Sequence, residues 1–560
     1  MRKAFSGLGL CAFAAIAIAC GTSRGDASEK SPNHDIPVND PDAPSDPSTP
    51  TPNEDDEPIG TFPKGFVFGT AIAGFQVDMG CPTLAAETCE DRGSDWYQWV
   101  TTKRILDNPL LFMSKDPPAS GPGFYELFEK DLDLAAGKGP SQLGTRALRL
   151  SIEWSRIFPK PTWNVSSHES LKAIASKEGI DFYHRLFAAM KKRGLEPFVT
   201  VSHYSLPLWI HDGNACNQDF DACVAAGKGG WGDPNRGRIV NEITKYAAFL
   251  AKEYGGEVDR WATLNEPFSA VVVAGYIASS PMRSNPPGLS GPWMRVDAAK
   301  TAAAAMIEAH ARMYDTIKAF DKVDANGDGK AAEVGIVYPY SEILPATDSE
   351  ADKKQAENAR YFFEDMFMDG VAEGRLDENW DKGPGNAPVR PELANRLDYV
   401  GVNYYFRFKA RPSNQMIGNV QASVLSPYLT FDMTAPFETM PQGIHGALLR
   451  AKRYQKPLYV TETGTTQDDE PRGAAWMVQT LAGVRRAIQD GADVRGYFAW
   501  SLMDNYEWNH GMGMKFGMYQ VHPTTKARAL RDAGEAYREI AITHDITPAL
   551  EQKYQGFFAE

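Results

Sequence analysis

The 560-residue sequence predicts a (β/α)8 barrel. Two observations carry that prediction. Eight short runs, apolar on both faces, recur along the chain with helical periodicity between most of them, the pattern of parallel strands covered by helices. Two of the runs also end on a glutamate, in Thr263-Leu-Asn265-Glu266-Pro267 and Tyr459-Val-Thr-Glu462-Thr-Gly464. That is where a barrel strand exits and its side chains turn into the pocket above the barrel.

The chain opens with an export signal. Met1-Arg2-Lys3 supplies the positive end, and Leu8 to Ala19 is an apolar run too short to span a bilayer. It ends in Ala17-Ile-Ala19-Cys20, similar to a bacterial lipobox, with residues 1–20 as the signal and Cys20 as the lipidated first mature residue. An ordinary signal peptide cleaved near Ala19 is the alternative. Gly21, where inner-membrane retention favours Asp, points to the outer membrane. Residues 21–60 are rich in Pro, Asp, Ser, Thr and Asn, too poor in apolar groups to fold, and read as an extended linker.

Residues 61–548 read as one catalytic barrel domain and 549–560 as a C-terminal tail. The expected strands are Phe66–Thr70, Ala147–Ile152, Pro197–Ser202, Arg260–Leu264, Val334–Tyr338, Tyr399–Asn403, Pro457–Thr461 and Arg495–Ser501. Helical stretches between them are Asp181–Arg193, Arg238–Tyr254, Ala298–Phe320, Glu350–Glu373, Gly443–Tyr454 and Ala474–Gln489. The long connections follow the first, fourth and sixth strands, on the face where barrel loops wall a pocket.

A net charge of −14 with no basic stripe argues against nucleic acid as a partner, and 11% aromatic residues suit a site that stacks on sugar rings. Beyond the export segment, which holds Cys11 and Cys20, four cysteines fall as close pairs, Cys81/Cys89 and Cys216/Cys223, each in a polar stretch. In an oxidising compartment two local disulfides are the expected pairing. Asp324, Asn326 and Asp328 with Gly329 open like a calcium loop, but the twelfth position is Gly335 and Glu333 comes two places early. A structural calcium and a solvated acidic turn are both open there.

Polar or aromatic residues stand at almost every strand exit: Gln76, Arg149, His203-Tyr204, Asn265-Glu266, Asn403-Tyr404, Glu462, Trp500 and Glu507-Trp508. Core packing asks for aliphatic residues instead. Two carboxylates from different strands can serve hydrolysis of a glycosidic bond, one protonating the leaving oxygen and the other attacking the anomeric carbon or activating water.

Six strings in series resemble glycoside hydrolase family one, the β-glucosidase/β-galactosidase family, and are closest to its archaeal-type β-glycosidases. They are Phe66 to Gln76, Arg149 to Pro159, Pro207 to Asp212, Thr263 to Pro267, Gly401 to Tyr405, and Trp500 to Trp508, and the similarity runs from Phe62 to Ile546. The resemblance implies a retaining exo-β-glycosidase acting on unphosphorylated sugars, with Glu266 as acid/base and Glu462 as nucleophile. It implies that Arg149 and Tyr404 contact the nucleophile and hold it ionised, while Glu266 is shifted upward and starts protonated. Gln76, His203, Asn265, Trp500, Glu507 and Trp508 match the sugar-binding set, with Glu507 facing the 4- and 6-hydroxyls. No cofactor is implied for catalysis. The partners are a glycoside or oligosaccharide and, through the lipid alone, a membrane; no oligomeric state follows.

Three positions depart from the family pattern: Thr463 where Asn is usual, Tyr204 where Trp is common and Asp78 where Glu is common. Met514 lies where archaeal-type members carry Met. The competing functions are a transglycosidase of the same fold, a phospho-β-glycosidase, disfavoured by the charge of Glu507 and by export, and a silent sugar-binding surface lipoprotein.

Overall fold

The computed structural model describes residues 62–434, 437–467 and 470–558. The export segment, Cys20 and the 21–60 linker lie outside them. Eight strands, all paired in parallel, close into one barrel: β1 Val67–Ala71, β2 Ala147–Ser151, β3 Glu196–Ser202, β4 Arg260–Asn265, β5 Glu333–Pro339, β6 Tyr399–Tyr404, β7 Leu458–Thr463 and β8 Val494–Trp500. Neighbours in space are neighbours in sequence, and β8 returns to β1, with Ala71 opposite Trp500. Each expected strand is present within two or three residues of its predicted ends.

The barrel interior is more aromatic than the aliphatic filling expected of it. Phe198, Tyr399, Tyr459 and Phe498 meet edge to face, with ring centroids 5.3 to 5.9 Å apart. Small residues make room for these rings. A Cβ on Gly69 would stand 2.6 Å from the Phe498 ring, and one on Gly335 would stand 2.6 Å from that of Tyr399. Below this floor Arg260 stacks over Tyr459 and pairs with Glu196 at 2.7 Å. Arg149 lies fully buried in β2.

Both glutamate-bearing strands are irregular just before the glutamate. The β4–β5 register shifts between Ala262 and Asn265, and the β6–β7 register shifts between Val460 and Glu462. Such a bulge re-aims the next side chain relative to strict alternation. Immediately after Glu266 the chain enters a π-helical turn, Pro267–Val273, which the sequence pattern did not announce.

All six expected helices form. The sequence reading also passed over Phe124–Ala136, in the first long connection, and Asp532–Thr543. The connections carry their own small sheets: Glu342–Pro345 with Arg407–Ala410 and Phe437–Glu438, a hairpin at Met416–Ile417 and Val420–Gln421, and another at Tyr519–Val521 and Arg528–Leu530. The segment expected as a C-terminal tail is instead docked. Pro548–Tyr554 is a helix capped by Thr547, Leu550 and Tyr554 are buried, and the Phe558 ring lies 6.0 Å from that of Trp476. The apolar spacing of those three residues, short as it is, finds a groove against the Glu470–Gln489 helix.

Both expected cysteine pairs are bonded, Cys81–Cys89 with Cα atoms 6.0 Å apart and Cys216–Cys223 at 5.0 Å. In the acidic turn, the Asp324 carboxylate accepts the amides of Gly327, Asp328 and Gly329, and Asn326 Oδ1 accepts that of Asp328. Asp328 Oδ1 accepts the Lys330 amide, and Glu333 is held by Arg260 and Lys330. Gly335, the twelfth position, sits inside β5, and no metal-holding cluster of His, Cys, Asp or Glu occurs among the described residues. The turn is held by its own hydrogen bonds.

Candidate active site

Five strands converge on one buried network above the barrel floor. Arg149, from β2, donates from Nη1 to Glu462 Oε1 at 2.5 Å and from Nη2 to Asn265 Oδ1 at 2.7 Å. With its oxygen facing a guanidinium, the Asn265 amide must direct Nδ2 the other way, to the Tyr204 hydroxyl at 3.0 Å and His203 Nε2 at 3.2 Å. Tyr204, accepting from Asn265, donates its proton to Glu266 Oε2 at 3.0 Å. On the other side Thr461 donates to Asn403 Oδ1 at 2.8 Å, which directs Asn403 Nδ2 to Glu266 Oε1 at 2.7 Å. Arg149 thus fixes Glu462 directly and Glu266 through two intermediates, so the two carboxyls belong to one oriented assembly.

The nucleophile-contacting tyrosine is Tyr405, not Tyr404. Asn403 faces the pocket, so the period of two along β6 turns Tyr404 outward. Its hydroxyl donates to the Met440 carbonyl at 2.5 Å and its ring lies 6.2 Å from Trp476. Tyr405 points back in and donates to Glu462 Oε2 at 2.7 Å. Alternation counted from Asn403 was enough to find it. Tyr204, in sequence a departure from the family pattern, bonds Glu266; no local sequence signal marks that contact.

Three pocket residues hold left-handed backbone, Tyr204 at φ 71°, Glu266 at 42° and Trp508 at 49°. For non-glycine residues this costs about 1–3 kcal/mol each and persists only where the surroundings impose it. For Tyr204 and Glu266 the hydrogen bonds above, with that from the Glu266 amide to the Val337 carbonyl at 3.0 Å, impose it, and for Trp508 the bond from its amide to the Tyr506 carbonyl at 2.8 Å contributes.

Gln76 Nε2 donates to both Glu507 Oε2 and Asn505 Oδ1 at 2.9 Å, which aligns Glu507. Gln76 Oε1 and His203 Nδ1 are buried polar atoms without a protein partner. A hydroxyl-bearing ligand would satisfy both. Trp500 lies nearly parallel to His203 at 6.2 Å. Trp508, expected under a sugar ring, is instead packed among Phe75, Trp96, His203 and Tyr204, its plane 11° from that of Phe75. Of the departing residues, Thr463 accepts the Trp476 indole N–H at 3.0 Å and Asp78 pairs with Arg156 at 3.1 Å. Met514 packs beside the cluster of Trp500 and Phe516.

Burial dominates the electrostatics. It pushes Glu462 up to about 7, against the pull of Arg149 and Tyr405 and with the help of neighbouring Glu266. That differs from the expectation that Arg149 and a tyrosine suffice to keep Glu462 in the ordinary carboxylate range. Burial also raises Glu507, which Arg283 and Gln76 oppose. It drives His203 well below the usual imidazole range, reinforced by Arg149 and Arg283, so His203 is neutral, accepting at Nε2 and offering N–H at Nδ1.

Comparison with known proteins agrees with this geometry. The sequence profile of Glycosyl hydrolase family 1 matches residues 59–546. A β-galactosidase of Pyrococcus woesei is 32% identical over 537 residues, covering 88% of this chain and 99% of the relative. The β-glycosidase structure from Thermosphaera aggregans superposes with a TM-score of 0.72 at 31% identity, covering 88% and 99% of the two chains. A β-glucosidase structure from Pyrococcus furiosus gives 0.72 at 30%, covering 89% and 99%. With its barrel, its paired glutamates and a match across nearly the whole of the described chain, this protein is an O-glycosyl hydrolase that belongs to glycosyl hydrolase family 1.

Proposed function

We propose that the protein is a retaining exo-β-glycosidase that cleaves terminal, unphosphorylated β-glycosides by double displacement. The observation that carries this is the Arg149-centred network, which binds one carboxyl directly and the other through Asn265 and Tyr204. Arg149 and Tyr405 both donate to Glu462, which suits the negative charge of a nucleophile. Glu462 attacks the anomeric carbon and forms a glycosyl ester while Glu266 gives its proton to the leaving oxygen. Water, deprotonated by Glu266, then breaks the ester. Two inversions give net retention, which requires carboxyls only ~5 Å apart. Neutral His203, Gln76 and Glu507 would take the sugar hydroxyls, and a carboxylate among them favours hydroxyls over phosphate.

Turnover of nitrophenyl β-glucoside and β-galactoside is the direct test. Glu462→Gly should abolish it, and azide should restore it with inverted product. Intact activity in that variant, or no rescue, removes Glu462 from its role. Water as acceptor distinguishes this function from transglycosylation, and turnover itself distinguishes it from sugar binding alone. Export and lipid anchoring at Cys20 complete the proposal. Two bonded cysteine pairs suit an oxidising compartment. Labelling by radioactive palmitate that persists in Cys20→Ser would overturn the anchor.

A further inference from the structure

We propose that Arg283 is a substrate-recognition residue that selects β-glycosides whose leaving group carries a carboxylate; this rests on the glycosidase function above. Arg283 lies in the connection after β4, the strand that delivers Glu266. The connection is tied over the pocket: the Ser284 amide donates to Asn509 Oδ1 at 3.3 Å, and His510 Nε2 lies 3.0 Å from the Met282 carbonyl. The Arg283 guanidinium stands over the ring of Tyr204, 5.6 Å from its centroid, and Tyr204 is the residue that holds Glu266. Its Nη2 is 3.6 Å from Glu507 Oε1, too long for a hydrogen bond, and its Nη1 is buried with no protein partner. The side chain is nevertheless 26% exposed, so solvent reaches part of it.

A guanidinium N–H left unpaired in a buried site is costly unless something arrives to accept it. Arg283 reaches Glu507 only through Nη2, at 3.6 Å from Oε1 while Gln76 takes Oε2, so this ion pair leaves Nη1 without an acceptor. The two Nη groups form a fork suited to a planar carboxylate, which an ammonium would not match. The place of that carboxylate follows from the neighbours. On the glycone, beside the 4- and 6-hydroxyls, it would meet the like charge of Glu507. On the leaving group it lies on the Glu266 side, where the β4 connection forms the wall. The cation in this position also draws anionic substrates toward the mouth of a protein whose net charge is −14.

The test compares para-carboxyphenyl β-glucoside with its uncharged methyl ester, and the same pair of galactosides, on wild type, Arg283→Gln and Arg283→Lys. The expected result is a fall of at least about tenfold in the acid-to-ester ratio of kcat/KM for Arg283→Gln, with Arg283→Lys between the two. Using a ratio on one protein removes any general loss of activity or folding. A ratio unchanged within about twofold while the esters are cleaved overturns the inference and leaves the glycosidase function standing. A loss confined to nitrophenyl β-glucuronide would place the charge on the glycone and also overturn it. Failure of wild type to cleave either ester sinks both.

Discussion

Tyr404 and Tyr405 show how one residue step decides chemistry. The adjacent tyrosines at the end of β6 are the same residue type, but Tyr404 anchors the strand to the Met440 carbonyl and Tyr405, just past it, holds Glu462. Tyr405→Phe should lower kcat/KM by roughly 10- to 100-fold, because a donor aimed at the reacting carboxylate is lost. Tyr404→Phe should leave the kinetics within a few-fold and lower stability by about 1 kcal/mol. Steady-state kinetics and thermal melts of the two variants decide; the reverse ranking would return the nucleophile contact to Tyr404. Glu266, Glu462, His203 and Asn265 stand out in the sequence because strand ends mark themselves by a polar residue after an apolar run, whereas Arg149 inside its strand, Gln76 and Glu507 stand out through the family resemblance. Tyr204 and Arg283 were not legible as Glu266 and Glu507 neighbours, because those contacts are made across connections of unrelated sequence position.

At the scale of elements, short strands and long helices were found by pattern, whereas the small sheets in the connections and the π-helical turn after Glu266 were not. Two-residue strands carry too little periodicity to be read. The C-terminal helix Pro548–Tyr554 was missed for a similar reason, and it bears on the site. Phe558 packs on Trp476, Gln442 donates to the Phe558 carbonyl at 3.1 Å, and Trp476 in turn holds Thr463 beside Glu462. Deleting residues 547–560 should cost about 3–6 kcal/mol, since Leu550, Tyr554 and Phe558 each lose buried apolar surface. Differential scanning calorimetry of the truncated enzyme checks this, with a fall in kcat as the accompanying sign that Thr463 has loosened. An unchanged melting temperature would make the segment the tail that its composition suggests.

Across the whole molecule, several carboxyls outside the site are buried at the cost of their charge. Glu364 is the extreme, pushed up to about 8 by burial, with one amide bond from Ser341 and Arg450 and Arg360 opposing. Its ordinary value in an open chain is 4.5, so between those limits the folded protein holds a proton that the unfolded chain has released. Stability from this group is therefore full below pH 4.5 and is lost as pH rises toward 8, by an amount on the order of a few kcal/mol. Glu364→Gln, uncharged at every pH, should melt closer to wild type at pH 6 and progressively above it by pH 9. Melting curves that stay parallel across that range would show that Glu364 does not titrate in it.

The sequence by itself determined the barrel, the order of its strands and the identity of both glutamates, because strand burial and strand-end polarity are local patterns of residue type. Only the tertiary structure decided which tyrosine meets Glu462, that Tyr204 orients Glu266, and that Arg283 stands over the Tyr204 ring beside Glu507. Those outcomes depend on bulges that re-aim side chains and on connections that meet across the barrel mouth. A hydrogen bond between residues sixty or three hundred positions apart leaves no periodic trace in the chain; it exists only once closure of the sheet has brought the strand ends to one place.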